Sequence, residues 1–253
     1  MPESPDAEVN RQIWEGIAGK YQSEHAASIG GELAEAWGVW RLPESDLQVL
    51  GSVEGLDVLE LGCGAAQWSI ALAKRGARAT GLDLTPAQLA HALEAAGKAV
   101  DLRLVEASAE DVPLPDASFD IVFCDHGAIG WADPLVLIPE AARLLRPGGL
   151  LAWCWNTPML ETCWPLDAEG PGTTLVRDYH GMHRMVDETD GSVVFMLPHS
   201  DTIRALRGAG LYVESLLELQ PPPGATSTYR PRPEHLEWAR RWPMEEIWRA
   251  RKA

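Results

Sequence analysis

The stretch Asp57 to Ser69, Asp-Val-Leu-Glu-Leu-Gly-Cys-Gly-Ala-Ala-Gln-Trp-Ser, constrains the fold of this chain more than any other. Val58, Leu59 and Leu61 form a short apolar run bounded by glycines, the pattern of a strand buried on both faces. Gly62 and Gly64 permit a sharp turn and a close approach of backbone to ligand. From Gln67 to Arg75 the spacing of Trp68, Ile70, Ala71 and Leu72 predicts a helix. Strand, glycine turn and helix in that order place a helix N-terminus at the carboxyl edge of a sheet, where open α/β folds bind ligands.

The charge at this turn bears on which ligand it takes. A dinucleotide would set its pyrophosphate against the helix N–H groups. Glu60, two residues before Gly62, opposes that anion, and Ala65-Ala66-Gln67 lacks the third fingerprint glycine. A cationic ligand fits better, and S-adenosylmethionine carries a sulfonium and an ammonium. Val-Leu-Glu-Leu-Gly-Cys-Gly closely resembles motif I of the class I S-adenosylmethionine-dependent methyltransferases.

The following segments extend the resemblance at suitable distances. Ala77 to Leu82 reads as a second strand ending at Asp83, 19 positions past Gly64. That spacing suits a carboxylate accepting from two ribose hydroxyls, in NAD as much as in a methyl donor. Capping the next helix is the other role open to Asp83, although Thr85-Pro86 already supplies a cap and first turn. Gln88 to Ala99 is the expected helix and Asp101 to Val105 a third strand. Ala109-Glu110 stands where the family carries a small residue and an acidic one against the adenine; a solvated acidic turn is the plainer reading. Asp120 leading Ile121 to Cys124 resembles the family's fourth strand, ending at Asp125-His126-Gly127. Leu135 to Leu145 is a helix, and Leu-Leu-Arg-Pro-Gly-Gly turns into a fifth strand, Leu150 to Trp155. The resemblance covers residues 56–155 motif by motif and the flanks loosely.

The flanks carry fewer signals. Val9, Ile13, Trp14, Ile17 and Ala18 share one face of a predicted helix. Trp14, Ala18 and Tyr21 also match the aromatic-x-x-x-Ala-x-x-Tyr segment that closes over the cofactor in related small-molecule enzymes. Pro43 begins a second short helix through Leu50. Residues 156–192, rich in Pro, Gly, Asp and Thr, form an insertion after the fifth strand that in this fold commonly serves as a substrate lid. Ser192 to Leu197 is expected to be extended, Asp201 to Gly208 helical with Ser200 as cap, and Leu211 to Leu219 a sixth strand. A seventh strand has only Thr226 to Arg230 as a candidate. Pro233 to Ala253 reads as a helical tail interrupted by Pro243, with Trp238, Trp242, Ile247 and Trp248 able to dock.

The expected architecture is a class I methyltransferase fold, α/β, with a doubly wound, mostly parallel sheet flanked by helices. One domain spans 1–253: a helical N-terminal cap at 1–50, a cofactor-binding core at 51–155, a lid insertion at 156–192, and C-terminal strands and helix at 193–253. The length of 253 residues, 46% hydrophobic, supports a sizeable core. No apolar run approaches the roughly 18 residues of a membrane span. A formal charge of −16 argues against phosphate backbones as partners. Met1-Pro-Glu-Ser-Pro-Asp shows no secretory pattern, and Cys63, Cys124, Cys154 and Cys163 lack Cys-x-x-Cys spacing. Free thiols in the cytoplasm follow.

The resemblance implies S-adenosylmethionine as methyl donor and Tyr21, Glu60, Gly62, Cys63, Gly64, Gln67, Asp83, Leu84, Gln88, Ala109, Glu110, Cys124 and Asp125 as its contacts. No metal is expected, since Asp125 and Asp133 alone make no ligand cluster. A base is needed only where an OH, NH or SH acceptor must lose its proton. His126, at the end of the fourth strand, is the first candidate and His183 on the lid the second. His126 has the alternative role of orienting Asp125. The acceptor is read as a small molecule with an apolar body, uncharged or cationic. Eleven tryptophans against three phenylalanines suggest some aromatic lining, with Trp37, Trp40, Trp131, Trp155 and Trp164 outside the expected core strands. A binding module without catalysis and, less favoured, an NAD-type dehydrogenase are the competing readings. Acceptor identity, target atom and oligomeric state are not legible.

Overall fold

The computed structural model describes residues 4–31, 34–97, 100–165 and 168–253. A long helix α1 (Pro5–Ile29) is followed by the ribbon β1 (Ala36–Trp37) and β2 (Leu42–Pro43) and a one-turn helix α2 (Glu44–Leu47). Then come β3 (Asp57–Leu61), α3 (Gln67–Lys74), β4 (Arg78–Asp83), α4 (Pro86–Ala96), β5 (Arg103–Glu106), β6 (Phe119–Asp125), α5 (Pro134–Leu144) and β7 (Leu145–Asn156). The remainder is α6 (Pro158–Cys163), a hairpin of β8 (Arg184–Val186) and β9 (Val193–Phe195), α7 (His199–Gly208), β10 (Leu211–Leu219), α8 (Pro233–Ala239) and β11 (Glu245–Lys252).

Seven strands form the main sheet in the order β10-β11-β7-β6-β3-β4-β5. The pairs among β3 to β7 are parallel, and β11 runs antiparallel to both β7 and β10. Alternate residues feed two faces, as a pleated strand requires. Leu59, Leu61, Val122, Leu151 and Trp153 pack with α5 and α7. Val58, Ile121, Phe123, Leu150 and Ala152 pack with Trp37, Trp68 and Leu72 on the other side. From β3 the sheet grows one way through β4 and β5 and the other way through β6 and β7. The crevice between the carboxyl ends of β3 and β6 is therefore its switch point.

Four sequence-based expectations change. The tail is not a continuing helix. After α8 it becomes β11, the seventh strand, while Thr226 to Arg230 lies outside any strand. Glu, Arg, Ala and Lys favour helix locally, but between β7 and β10 both backbone edges of the segment are paired, and tertiary context overrides propensity. The buried face of α1 carries Ala7, Asn10, Ala18 and Gln22, whereas Val9 and Ile17 are exposed. Asn10 explains the difference: its amide bonds Trp131 O, Val193 O and Val193 N, each at 2.8 Å, so hydrogen bonds dock this helix as well as apolar contact. The second helix is only Glu44–Leu47, and Gln48 ends it in a left-handed conformation. Finally, α7 starts at His199 with Pro198 before it rather than a Ser200 cap. Met1 to Glu3, Lys98 and Ala99 at the end of the expected fourth helix, and Leu166-Asp167 of the expected lid lie outside the described residues.

Candidate active site

The site grows from two turns that touch. A Cβ on Gly62, which has φ +70°, would sit 2.3 Å from Ala128 N in the turn after β6. Only glycine satisfies both the left-handed backbone and that approach. Gly64, φ +53°, has nothing nearer its Cβ position than Gln88 Oε1 at 3.9 Å, so its backbone is open to a ligand. Ala66, also left-handed, opens α3 without a side-chain cap. The first-turn donors need acceptors from elsewhere. Glu60 supplies one: its Oε2 accepts from Ser69 N at 3.0 Å and Ser69 Oγ at 2.5 Å. Burial pushes the Glu60 carboxyl up to about 8, against the pull of those two bonds.

Asp83 ends β4 and spans the turn. Its Oδ2 accepts from Gly64 N at 2.8 Å and its Oδ1 from Thr85 N at 2.9 Å. Burial raises its carboxyl above the usual range, and those backbone donors limit the rise. Asp125, at the end of β6, accepts from Gly38 N at 3.0 Å and Trp68 Nε1 at 3.1 Å and pairs with Arg41 at 3.5 Å. His126 follows with φ +51° and donates its backbone N–H to Cys154 O at 3.1 Å. Its Nε2 bonds Glu245 Oε1, which also accepts from Val39 N at 2.8 Å. Glu245 is fully buried at the start of β11. A carboxylate acceptor there favours the Nε2–H tautomer and leaves Nδ1 as the basic atom.

These groups open on one cavity of about 690 Å³, within the usual size of small-molecule sites. Of the sequence-predicted residues, Tyr21, Glu60, Gly62, Cys63, Gly64, Gln67, Asp83, Leu84, Gln88, Ala109, Asp125 and His126 line it. Gln22 of α1 ties the leader to this wall, donating to Gln88 Oε1 at 2.8 Å and accepting from Gln67 Nε2 at 3.3 Å. Tyr21 hydroxyl meets Tyr229 hydroxyl at 2.8 Å, and both residues line the cavity.

Three predicted residues lie elsewhere. Glu110 Oε1 accepts from Asp133 N at 2.9 Å at the start of α5. Cys124 is buried, receives Ile129 N at 3.4 Å on its sulfur, and has its thiol pushed up to about 12 by burial. His183 Nε2 lies 2.8 Å from Asp133 Oδ1, in the α5 cap, outside the cavity wall. Trp131, Trp155 and Trp164 do line the cavity, while Trp37 and Trp40 are core. The sequence reading missed Glu245 and Arg230. Glu245 falls in the expected helical tail, and Arg230 ends the candidate strand Thr226 to Arg230 without a motif. Among the described residues, Asp125, His126 and Cys154 form the group whose geometry could hold a metal ion. Asp125 and His126 spend donor atoms on protein partners instead.

A parallel sheet with one reversed strand beside the fifth, a glycine turn at its switch point and a carboxylate closing the second strand define the class I S-adenosylmethionine-dependent methyltransferases. A dinucleotide fold of strand order 3-2-1-4-5-6 has no such reversed insertion. The chain has the fold of that class, and its residues 59–153 match the family described as a methyltransferase domain. Ubiquinone biosynthesis O-methyltransferase of Leptothrix cholodnii is 36% identical over 106 residues, covering 40% of this chain and 45% of that protein. An uncharacterized methyltransferase of Mycobacterium bovis is 40% identical over 100 residues, covering 40% of each chain. The chain thus matches less than half the length of these curated relatives. An S-adenosylmethionine-dependent methyltransferase structure from Mesorhizobium loti superposes with a TM-score of 0.67 at 27% identity, covering 82% of this chain and 96% of that one.

Proposed function

We propose that this protein transfers a methyl group from S-adenosylmethionine to a small-molecule acceptor within the cavity at the switch point. One observation carries the reading. The open backbone at Gly64, the Asp83 carboxylate and the Ala109 turn share a cavity that continues past His126 into an aromatic wall. Donor and acceptor can therefore lie side by side. The donor's methyl is already activated by its sulfonium, so the protein's main task is alignment for in-line displacement.

Asp83, with both oxygens oriented by backbone N–H groups, is the acceptor for the ribose hydroxyls. The backbone at Ser108 and Ala109 serves the adenine. Asp125 provides negative charge toward the cationic end, and Glu60 holds the first turn of α3 through Ser69. His126, held through Nε2 by Glu245, is the base that takes a proton from an OH or NH acceptor at Nδ1. His183 braces the start of α5. The acceptor is small, in keeping with the cavity's size and with the role in ubiquinone biosynthesis named for the Leptothrix relative. No helix among the described residues is long and apolar enough to cross a membrane. The four buried free cysteines suit a reducing cytoplasm.

Calorimetry tests the reading. S-adenosylmethionine and S-adenosylhomocysteine are expected to bind at micromolar affinity, and NAD and NADH not to bind. Saturable NADH binding without binding of either sulfur ligand would overturn it.

A further inference from the structure

Past His126, whose ring lies 5.1 Å from that of Trp155, this end of the cavity has polar atoms with no protein partner. Trp155 Nε1, Asn156 Oδ1 and Arg230 Nε are each buried and make no hydrogen bond, and all three residues line the cavity. Buried polar atoms are ordinarily satisfied, so three along one wall point to a ligand that satisfies them. Trp155 and Asn156 are adjacent at the end of β7. Asn156 Nδ2 donates to Glu161 Oε1 at 3.0 Å, and Glu161 pairs with Arg177 at 3.2 Å. Arg230 lies over the ring of Trp164, 5.1 Å from its centroid, and donates from Nη1 to Tyr229 O at 3.1 Å.

Arg230 is the unusual member. Among the described residues no carboxylate comes within ion-pair distance of it. Glu245 and Glu161 act on it from farther away: Glu161 is engaged by Arg177 and Asn156, and Glu245 through its Oε1 by His126 and Val39 N, while its Oε2 is buried without a partner. Burial pulls its guanidinium below the usual arginine range, against the more distant pull of Glu245 and Glu161, so this cation lacks the direct partner that buried charges ordinarily have. The same cavity has apolar and aromatic wall residues in Trp131, Trp155, Trp164, Met185 and Val194.

We propose that this end of the cavity is the acceptor subsite and that it takes a planar, apolar molecule bearing a carboxylate, which Arg230 binds. Guanidinium geometry matches a carboxylate through paired N–H donors, and the Trp164 ring fixes its plane. The Trp155 indole N–H is a further donor to the same molecule, and Asn156 Oδ1 accepts from a hydroxyl or amine on it. The net charge of −16 suggested an uncharged or cationic acceptor. That charge acts through solvent and is screened within about 8 Å at physiological salt. Inside the cavity a lining charge without a direct ion-pair partner decides, and Arg230 is positive. The proposal names the acceptor class for the methyl transfer inferred above and rests on that reading.

The test pairs carboxylates with their neutral amides: benzoate, 4-hydroxybenzoate, 2-naphthoate and indole-3-acetate. Each pair is titrated into the protein with and without saturating S-adenosylhomocysteine, followed by tryptophan fluorescence and calorimetry. At least one carboxylate is expected to bind ten-fold or more tighter than its amide. Arg230→Met should reduce that ratio to about one while leaving S-adenosylhomocysteine affinity within two-fold. It should also raise the Tm of the unliganded protein, because a buried charge without a direct ion-pair partner is removed. Arg230→Lys should keep part of the preference. If no carboxylate outbinds its amide, or Arg230→Met lowers the Tm, Arg230 is a structural residue and the proposal fails. If Arg230→Met instead costs ten-fold in S-adenosylhomocysteine affinity, the arginine serves the methionine carboxylate of the donor, and the proposal again fails. Absence of S-adenosylhomocysteine binding to wild type would defeat the methyl-transfer reading alone, since the carboxylate titrations also run without it.

Discussion

Gly62 and Gly64 lie two residues apart in one turn, both left-handed, yet alanine at each should act differently. At Gly64 the new methyl meets nothing nearer than Gln88 Oε1 at 3.9 Å. The fold then bears only the cost of a non-glycine residue at positive φ, about 1–2 kcal/mol. For a chain of this size that is roughly 2–8 °C in Tm, at 2–4 °C per kcal/mol. The methyl would, however, stand where the donor approaches, so cofactor affinity should fall by more than ten-fold. At Gly62 the same φ cost applies, and the methyl also lands 2.3 Å from Ala128 N and 2.9 Å from Gly127 Cα. These are backbone atoms with no rotamer to yield. Forcing the two turns apart adds an overpacking cost of about 1–3 kcal/mol. Gly62→Ala should therefore melt several degrees below Gly64→Ala and lose cofactor binding as well. Scanning calorimetry with S-adenosylhomocysteine titrations on both variants reads the two effects separately. Gly62→Ala melting at or above Gly64→Ala would refute the steric reasoning. Undiminished cofactor affinity in Gly64→Ala would remove the turn from the site.

Three further expectations concern charges. Burial raises the Glu60 carboxyl from its ordinary value to about 8. The folded protein therefore binds this proton more tightly than the unfolded chain, and its contribution to stability falls as pH rises from roughly 4.5 to 8. Glu60→Gln keeps an acceptor for Ser69 and should flatten that fall; an unchanged Tm slope between pH 6 and pH 8.5 would argue against it. Asp83→Asn, isosteric at the turn, should weaken S-adenosylhomocysteine binding at least about ten-fold, a loss that needs only about 1.4 kcal/mol; unchanged affinity would remove Asp83 as ribose anchor. Under single-turnover conditions with an active acceptor, His126→Ala should slow methyl transfer by about 10²–10⁴ with cofactor affinity nearly unchanged. Glu245→Gln should slow it less, and His183→Ala should chiefly lower Tm. Normal transfer by His126→Ala with a loss in His183→Ala would move the base to the lid.

Contiguous pieces of the fold were legible because their signals are local. Val58 to Leu61, the glycine turn and the helix after it occupy one short run, and 2.0- and 3.6-residue periods show there without knowledge of neighbours. The same holds for Asp83: chain spacing alone returns it to the turn, where it bonds Gly64 N. With these elements came the parallel core and much of the cavity wall. The tertiary structure decided what depends on distant pairing. Glu245 to Lys252 has helix-forming composition and becomes a strand because β7 and β10 offer it two edges. That placement brings Glu245 to His126, 119 residues away in the chain, and gives the histidine its partner. Asn10 and Gln22 carry no signal in the sequence, and partners from other elements bury them. Arg230 carries no motif, and it becomes informative only when the fold encloses it without a carboxylate beside it. Periodicity records which way a residue faces along its own element. Whether a buried charge has a partner depends on residues brought together by the whole chain.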